Sequence, residues 1–251
     1  MTTIKPVRIA VLLTCHNRRD ITLKCLHALY AQETSENVTF QVYLVDDGCT
    51  DGTGDAVCEQ FPDVKILRGN GCLYWCGGMR MAFAEAMKND YDYYLWLNDD
   101  TKLYSNAVNT LLETSQKVHK RYSCNGIIVG STQDPLTHLR TYGGMFCSTR
   151  HWVLDIHPAQ PSNEPLQCNT MNGNCVLIPK EVARTVGNLS PEFTHAIGDM
   201  DYGLRAEANG ISCWICPGFV GTCRFDSDRK RWTDPELSLW QRLKILYSHK
   251  G

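Results

Sequence analysis

The chain has almost no excess of charge of either sign, because 25 basic residues stand against 27 acidic residues in a length of 251. A protein that binds nucleic acid nonspecifically usually carries a positive field, and this chain has none. No block of like charges marks an interaction tail either. We therefore expect no nucleic-acid partner.

Long apolar runs are also missing. The first six residues lack the apolar core of a signal peptide, and no later run approaches the roughly 20 apolar residues that span a bilayer. A chain of this length can bury a sizeable core as one domain. The sequence predicts a cytoplasmic, single-domain protein.

Several familiar ligand motifs are incomplete. A dinucleotide fingerprint starting at Gly69 and Gly71 would need a third glycine where Tyr74 stands, and no glycine loop is followed by Gly-Lys-Ser/Thr. The loop after Asp47 is not a calcium hand, because Cys49 occupies its third position. These gaps exclude the common nucleotide and calcium motifs.

Cysteine is plentiful, with 13 residues scattered through strand-like runs. A chain of this size needs no disulfide scaffold, so free and mostly buried thiols are expected. Cys213 and Cys216 have the spacing of half a zinc site, with Cys223 downstream and no second close pair. A structural zinc ion stays open as a minor alternative.

The chain does contain a regular alternation of strand-like and helix-like segments, and no internal repeat. Such alternation predicts an α/β fold with a mostly parallel sheet covered by helices. A mixed pattern follows residue 120, with strands expected over 126–129, around 142–146, over 174–178 and over 211–215. The stretch 133–167 is otherwise expected to be irregular. The division expected is a nucleotide-binding half over about 1–120, an acceptor half over about 121–225 and a helical extension over 226–251. The first four strands are predicted at Arg8–Leu13, Gln41–Val45, Val64–Leu67 and Tyr93–Leu97.

The fourth predicted strand ends abruptly in Asn98, Asp99 and Asp100. Parallel sheets bind ligands at the carboxyl ends of their strands, and Mg²⁺ takes oxygen ligands from one or two carboxylates plus substrate phosphates. The sequence therefore favours a metal site here. The alternative is a strand end before a helix that is capped by Ser105 or Asn106.

Five motifs occur in an order that resembles the family 2 nucleotide-sugar glycosyltransferases, which have the GT-A fold. The last motif is most similar to the bacterial rhamnosyltransferase and galactofuranosyltransferase branch. The resemblance runs from about Val7 to Cys223. Its motifs are Leu-Leu-Thr-Cys-His-Asn-Arg, Leu-Val-Asp-Asp-Gly-Cys-Thr-Asp-Gly-Thr, Leu-Trp-Leu-Asn-Asp-Asp-Thr, Met-Asn-Gly-Asn-Cys-Val-Leu-Ile-Pro and Gly-Asp-Met-Asp-Tyr-Gly-Leu-Arg-Ala.

The resemblance implies roles for particular residues. Asp199 matches the catalytic base, and Asp100 with Asn98 matches the metal motif. Relatives often have a late histidine ligand where this chain has Gly221-Thr222-Cys223-Arg224. Nucleotide contacts are implied for Thr14, His16, Asp47 and Asp99. Donor diphosphate or sugar contacts are possible for Asn70, Arg80 and Asn172, with a turn role for Asn70 and a solvated surface role for Arg80 as the alternatives.

The implied activity is inverting, with Mn²⁺ or Mg²⁺ as cofactor. The donor would be a nucleotide-diphospho-sugar linked to UDP or dTDP, and the acceptor a glycan or a lipid-linked glycan of the bacterial surface. Two alternatives remain open: a nucleotidyltransferase acting on sugar phosphates, and a nucleotide- or glycan-binding module whose active site has decayed.

Two further predictions concern helices. Asp201 is four residues before Arg205 on one helix, so the two are expected to form a surface ion pair. The stretch 237–247 combines apolar and aromatic residues with Arg242 and Lys244, and Lys250 follows it. That pattern is compatible with a peripheral membrane contact, and core packing is the commoner meaning.

Overall fold

The computed structural model describes residues 6–35, 37–150, 153–225 and 237–246. The strands in these ranges are β1 (Val7–Cys15), β2 (Val38–Asp46), β3 (Lys65–Arg68), β4 (Tyr93–Leu97), β5 (Lys102–Leu103), β6 (Ile127–Gln133), β7 (Gly144–Arg150), β8 (Val153–Pro158), β9 (Leu166–Cys168), β10 (Thr170–Met171), β11 (Cys175–Pro179) and β12 (Cys213–Thr222). The helices are α1 (Arg19–Tyr30), α2 (Thr53–Gln60), α3 (Tyr74–Ala86), α4 (Ala107–Tyr122), α5 (Lys180–Val186), α6 (Gly198–Ala208) and α7 (Leu239–Leu246).

The main sheet has the order β3-β2-β1-β4-β11-β6-β12-β5, and β9 pairs with β12 at the side. The strands β3, β2, β1 and β4 are mutually parallel. Their carboxyl ends therefore lie along one edge, as the alternation of strands and helices predicted. This part of the fold confirms the predicted α/β class.

The core lies on both faces of this sheet. Successive side chains of a strand point to opposite faces, so Ile9, Val11 and Leu13 of β1 pack on one side and Ala10 and Leu12 on the other. Helices α1, α2 and α4 cover the first face, and α3, α5 and α6 cover the second. A strand buried on both faces reads as a continuous apolar run, as β1 does.

The second half of the chain completes the sheet with mixed directions. Strand β11 is antiparallel to both β4 and β6, while β12 runs parallel to β6. The last strand reaches Thr222 and so is longer than the predicted 211–215.

The expected strand around 142–146 corresponds to β7, but the expectation of irregular structure over the rest of 133–167 was wrong. Strands β7 and β8 form a hairpin there, which joins β10 in a separate three-stranded sheet. Four prolines in this stretch favour the irregular interpretation, yet Pro158 closes the outer strand β8 and the other three lie outside these strands. None of the described helices is long and apolar enough to cross a membrane.

Candidate active site

The carboxyl ends of β1, β2 and β4 bring three polar loops side by side. Cys15, the last residue of β1, pairs with Asp46 at the end of β2. Leu12 of β1 pairs with Trp96 of β4, two residues before Asn98. The predicted nucleotide and metal loops are therefore neighbours at one edge.

The loop after β4 carries the two carboxylates of the predicted metal motif. Asp99 is buried and accepts hydrogen bonds from Arg18 Nη1 at 3.0 Å and from the Thr22 hydroxyl at 3.3 Å. Asp100 is 28% exposed and accepts a hydrogen bond from Arg18 Nη2 at 2.7 Å. Burial raises the pKa of Asp99 to about 7, although the charge of Arg18 lowers it. Asp100 is thus the accessible carboxylate of the pair, and Asp99 supports it from behind.

These contacts correct the predicted role of Asp99 as a direct nucleotide contact. Its side chain is enclosed by α1 and the sheet, so it acts on a ligand only through Arg18 or Asp100. The role of Asn98 as a metal ligand stays a prediction. Asn98 Oδ1, the atom that would bind the cation, accepts a hydrogen bond from the indole N–H of Trp75 at 2.6 Å.

Asp47 has a structural role that the sequence did not predict. Its carboxylate accepts hydrogen bonds from the backbone N–H groups of Gly71 at 2.8 Å, Leu73 at 2.9 Å and Tyr74 at 3.1 Å. Both oxygens are therefore used to hold the loop that leads into α3. The implied contact of Asp47 with the nucleotide stays a prediction, and these three hydrogen bonds hold the carboxylate in place.

We expect Asp47→Asn to lower the free energy of unfolding by about 1.5–3 kcal/mol. The amide nitrogen cannot accept, so at least one charged hydrogen bond to the loop is lost. Urea unfolding would measure the change. Asp63→Asn removes an exposed carboxylate from the opposite edge of the sheet and should change stability by no more than about 0.5 kcal/mol. Equal stability of the two variants would contradict the role of Asp47.

His16 and Thr14 lie on the loop and strand beside Asp47. His16 is exposed, and its Nδ1 is 2.6 Å from the carbonyl oxygen of Asp47. Thr14 packs closely on α3, where a Cβ added at Gly78 would collide with the Thr14 hydroxyl. The imidazole is thus fixed in orientation while its ring stays accessible to a ligand.

The three predicted donor contacts have different positions. Asn70 is exposed and accepts the N–H of Cys72 at 3.0 Å, which is a turn role. Arg80 donates to the carbonyl oxygens of Ser190 at 3.1 Å and Phe193 at 3.2 Å, so it ties α3 to the loop before α6. We therefore do not carry these two residues into the donor site. Asn172 is half-buried, just before Gly173.

Asp199 lies in the first turn of α6, as predicted for the base. Its Oδ2 accepts the N–H of Gly173 at 2.8 Å, and its Oδ1 accepts the N–H of Met200 at 2.9 Å. Burial raises the pKa of Asp199 above its ordinary value, while these two N–H groups lower it. The helix start therefore does not make this carboxylate more acidic than usual, and a raised pKa suits a general base.

Trp75 connects the acidic loop with Asp199. Its indole N–H donates to Asn98, and its ring packs so closely on Gly173 that any Cβ there would collide with it. Gly173 in turn donates its N–H to Asp199. Asn98 and Gly173, which holds Asp199, therefore both contact the same edge of one indole ring.

The residue before α6 has an unusual backbone. Ile197 has a φ of 71°, which is rare for a β-branched residue, and its side chain is exposed. Strain of this kind is found where a site holds the chain in a required conformation. It sets the direction in which Gly198 and Asp199 enter the helix.

The predicted pair of Asp201 and Arg205 is present at 2.8 Å. It is more than a surface pair, because Arg205 also donates to the carbonyl oxygens of Val186 at 2.9 Å and Asn188 at 3.0 Å. Asp201 thus helps to fasten α6 to the end of α5.

Sequence reasoning missed Arg18 and Trp75, and it noted Cys223 only beside the half zinc site and where relatives have a late histidine. The Cys223 thiol lies 3.4 Å from Asp100 Oδ1, and burial raises its pKa well above the ordinary value, so it donates to that carboxylate as a thiol. Arg18 stands in the first motif that carried the resemblance, and that position was the available signal. No sequence signal pointed to Trp75, because its partners Asn98 and Gly173 lie 23 and 98 residues away along the chain.

The donor atoms suit a hard cation in type. Asp99 and Asp100 supply carboxylate oxygens, and both carboxylates pair with the single guanidinium of Arg18. Across the described ranges, no group of three or more His, Cys, Asp or Glu side chains is arranged to hold a metal ion. Mg²⁺ is commonly held by one or two carboxylates together with substrate phosphates, which is compatible with this pair.

Solved structures share this architecture. The mannosyltransferase PcManGT of Pyrobaculum calidifontis, in complex with GDP-Man and Mn²⁺, superposes with a TM-score of 0.60 at 15% identity, over 88% of this chain and 57% of that one. TarS residues 1–349 of S. aureus, in complex with UDP-GlcNAc, superposes with a TM-score of 0.65 at 12% identity, over 96% of this chain and 64% of that one. The chain thus spans less than two thirds of either structure. No curated protein sequence matches it significantly.

A helix-covered sheet with an acidic loop at its carboxyl edge defines the chain as a protein of the GT-A glycosyltransferase fold. The model of the family "Glycosyl transferase family 2" matches residues 10–187, which is more than half of the sequence. The chain belongs to glycosyl transferase family 2.

Proposed function

We propose that the chain transfers a sugar from a nucleotide-diphospho-sugar to a hydroxyl group with inversion, assisted by a divalent cation. The observation that carries this proposal is the bridge made by Trp75. One indole ring contacts both Asn98 in the acidic loop and Gly173, which holds Asp199. This arrangement supports a donor diphosphate near Asp100 and an acceptor hydroxyl near Asp199 within one site.

Asp199 is the proposed general base. It accepts the proton of the acceptor hydroxyl as that oxygen bonds to the anomeric carbon, and the bond from that carbon to the diphosphate oxygen breaks. Attack from the face opposite the diphosphate inverts the configuration. The N–H groups of Gly173 and Met200 orient the carboxylate. Such a base typically contributes about 10²- to 10⁴-fold.

Asp100 is the proposed ligand of Mg²⁺ or Mn²⁺, with Asp99 behind it. When bound, such a cation stabilises the negative charge that develops on the leaving diphosphate. The mannosyltransferase neighbour is a complex with Mn²⁺, and this supports the assignment. Thr14 and His16 are proposed to flank the pyrimidine ring of a UDP- or dTDP-linked donor.

The acceptor is proposed to be a glycan or a lipid-linked glycan in the synthesis of bacterial surface polysaccharide, as in the rhamnosyltransferase and galactofuranosyltransferase branch. Residues 1–120 would form the nucleotide half, residues 121–225 the acceptor half and residues 226–251 an extension. We retain the cytoplasmic location that the sequence predicted. This division and this location stay proposals.

A thermal-shift series of nucleotide-diphospho-sugars, with and without Mn²⁺, tests the function. A donor at 100 times its Kd stabilises the folded state by about 2.7 kcal/mol, which corresponds to several degrees in Tm for a chain of this size. We expect such a rise for a UDP- or dTDP-sugar with Mn²⁺ and a smaller rise without it. The proposal is wrong if none of these donors raises the Tm and none is consumed with an acceptor extract.

Helix α7 is the proposed membrane contact, because Leu239 and Trp240 are 70% and 81% exposed. Arg242 and Lys244 on the same helix would favour anionic lipid. Tyr247 and Lys250, which belong to the same prediction, lie outside the described residues.

We expect the double variant Leu239→Ser/Trp240→Ser to sediment severalfold less with anionic vesicles, because apolar area buried in the interface drives this binding. The matched control is Leu136→Ser/Leu139→Ser, which removes two similarly exposed leucines elsewhere. If both double variants sediment as the unmodified chain does, α7 does not bind membrane.

A further inference from the structure

Arg18 connects the nucleotide loop with the acidic loop. It precedes the first turn of α1, and its guanidinium reaches 81 residues along the chain to Asp99 at 3.0 Å and 82 residues to Asp100 at 2.7 Å. A guanidinium has five N–H donors in a rigid fork, and two of them are used here. The side chain remains 40% exposed, so the same fork also faces the edge of the sheet.

The two carboxylates depend on this positive charge. Asp99 is almost completely buried, and an ionised carboxylate in such a position needs a cation beside it. Arg18 also contacts the more exposed Asp100, so the two acids share one guanidinium. In the absence of ligand, the carboxylates proposed to bind a divalent cation are already paired with the guanidinium of Arg18.

A divalent cation and Arg18 therefore compete for Asp100. If the cation binds alone, Arg18 loses one partner and its charge lies close to a second positive charge, which is unfavourable. If an anionic diphosphate arrives with the cation, the guanidinium gains a partner that it binds well, because its fork fits phosphate oxygens. The loss of one ion pair is then offset by another.

We propose that Arg18 is an exchangeable counter-cation: it holds Asp99 and Asp100 in the free protein and transfers its contact from Asp100 to the donor diphosphate when a divalent cation binds. This inference rests on the proposed function for the identity of the diphosphate ligand. Its consequence is that cation and diphosphate bind cooperatively, each raising the affinity of the other by the same factor. The divalent cation by itself would bind weakly.

The test compares Arg18→Gln, Arg18→Lys and the matched control Arg19→Gln. Arg19 is the next residue and carries the same charge, but its partner is the exposed Asp20 at 3.8 Å. Binding of Mn²⁺ alone is measured at pH 8 from the loss of the free-ion electron paramagnetic resonance signal. UDP affinity is then measured by calorimetry with and without saturating Mn²⁺.

We expect Arg18→Gln to bind Mn²⁺ alone about tenfold more tightly than the unmodified chain, a factor within the usual range for coupled sites. With Mn²⁺ present it should bind UDP about tenfold more weakly. Arg18→Lys should show smaller changes in the same directions, because an ammonium cannot bridge two carboxylates as a fork does. Arg19→Gln should match the unmodified chain in both measurements.

The proposal is overturned if Arg18→Gln binds Mn²⁺ no more tightly than Arg19→Gln does, or if no variant binds Mn²⁺ at all. Should Arg18→Gln fail to fold, the Mn²⁺ affinity of Arg18→Lys decides the test, since this variant keeps the positive charge before α1. Failure of the proposed function has a different result: UDP and the other nucleotides would not bind the unmodified chain in Mn²⁺. The Mn²⁺ affinities of the variants, measured without nucleotide, would still test the role of Arg18.

Discussion

Asp199→Asn is expected to lower kcat by about two or more orders of magnitude while donor affinity stays nearly unchanged. An asparagine has the same size and can still accept the N–H of Gly173, but it cannot take a proton from the acceptor hydroxyl. The loss of a group that acts only in the transition state lowers kcat rather than raising KM. Steady-state kinetics with the donor found in the thermal-shift series would measure it.

The substitution Asp199→Asn should also lower the stability of the fold slightly. The amide nitrogen of an asparagine cannot accept the N–H of Met200, so one hydrogen bond of about 1 kcal/mol is lost. Asp201→Asn is the control, because it stands in the same helical turn and contacts Arg205. If Asp199→Asn keeps most of its activity and Asp201→Asn loses it, the base is assigned to the wrong carboxylate.

The pH dependence of kcat/KM follows from the burial of Asp199. A base acts when it is ionised, so kcat/KM should fall as the pH drops through the pKa of Asp199. Because burial raises that pKa, the acid limb should lie above the ordinary aspartate range. The limb should disappear from the residual activity of Asp199→Asn.

The second large effect is expected for Asp100→Ala, which should lower transfer by at least about 10²-fold and remove the stimulation of donor binding by Mn²⁺. Asp100 is the accessible carboxylate of the acidic loop, and its loss leaves only the buried Asp99 beside Arg18. Several kcal/mol of transition-state stabilisation are at stake when a cation at a leaving group is lost. Calorimetry of donor binding at several Mn²⁺ concentrations would measure the loss.

Asp55→Ala provides the matched control for Asp100→Ala. It removes an aspartate from α2 whose side chain is 90% exposed, and it should change neither donor affinity nor its dependence on Mn²⁺. Unchanged donor affinity in Mn²⁺ for Asp100→Ala would remove this residue from the cation site. Circular dichroism and urea unfolding would show whether either variant still has the native fold.

Local patterns along the chain predict the parallel strands of the sheet and the polar loops that follow them. Alternating apolar strands and helical periodicities are local patterns, and parallel strands necessarily bring their polar carboxyl ends to one edge. The acidic loop at residues 98–100 and the position of Asp199 at a helix start were therefore predictable. The ion pair of Asp201 with Arg205 was predictable for the same reason, since four residues make one helical turn.

Only the tertiary structure decided which partner each polar atom has. Asp47 turns inward to three N–H groups, Arg80 holds two carbonyl oxygens, and Asn98 receives the indole of Trp75. The hairpin of β7 and β8 likewise depends on pairing in a second sheet. These contacts join residues that are many positions apart, and a buried polar atom takes whichever partner the packing brings within about 3 Å. The residue types and their spacing specify which groups are available, and the packing of α1 and α3 on the sheet selects among them.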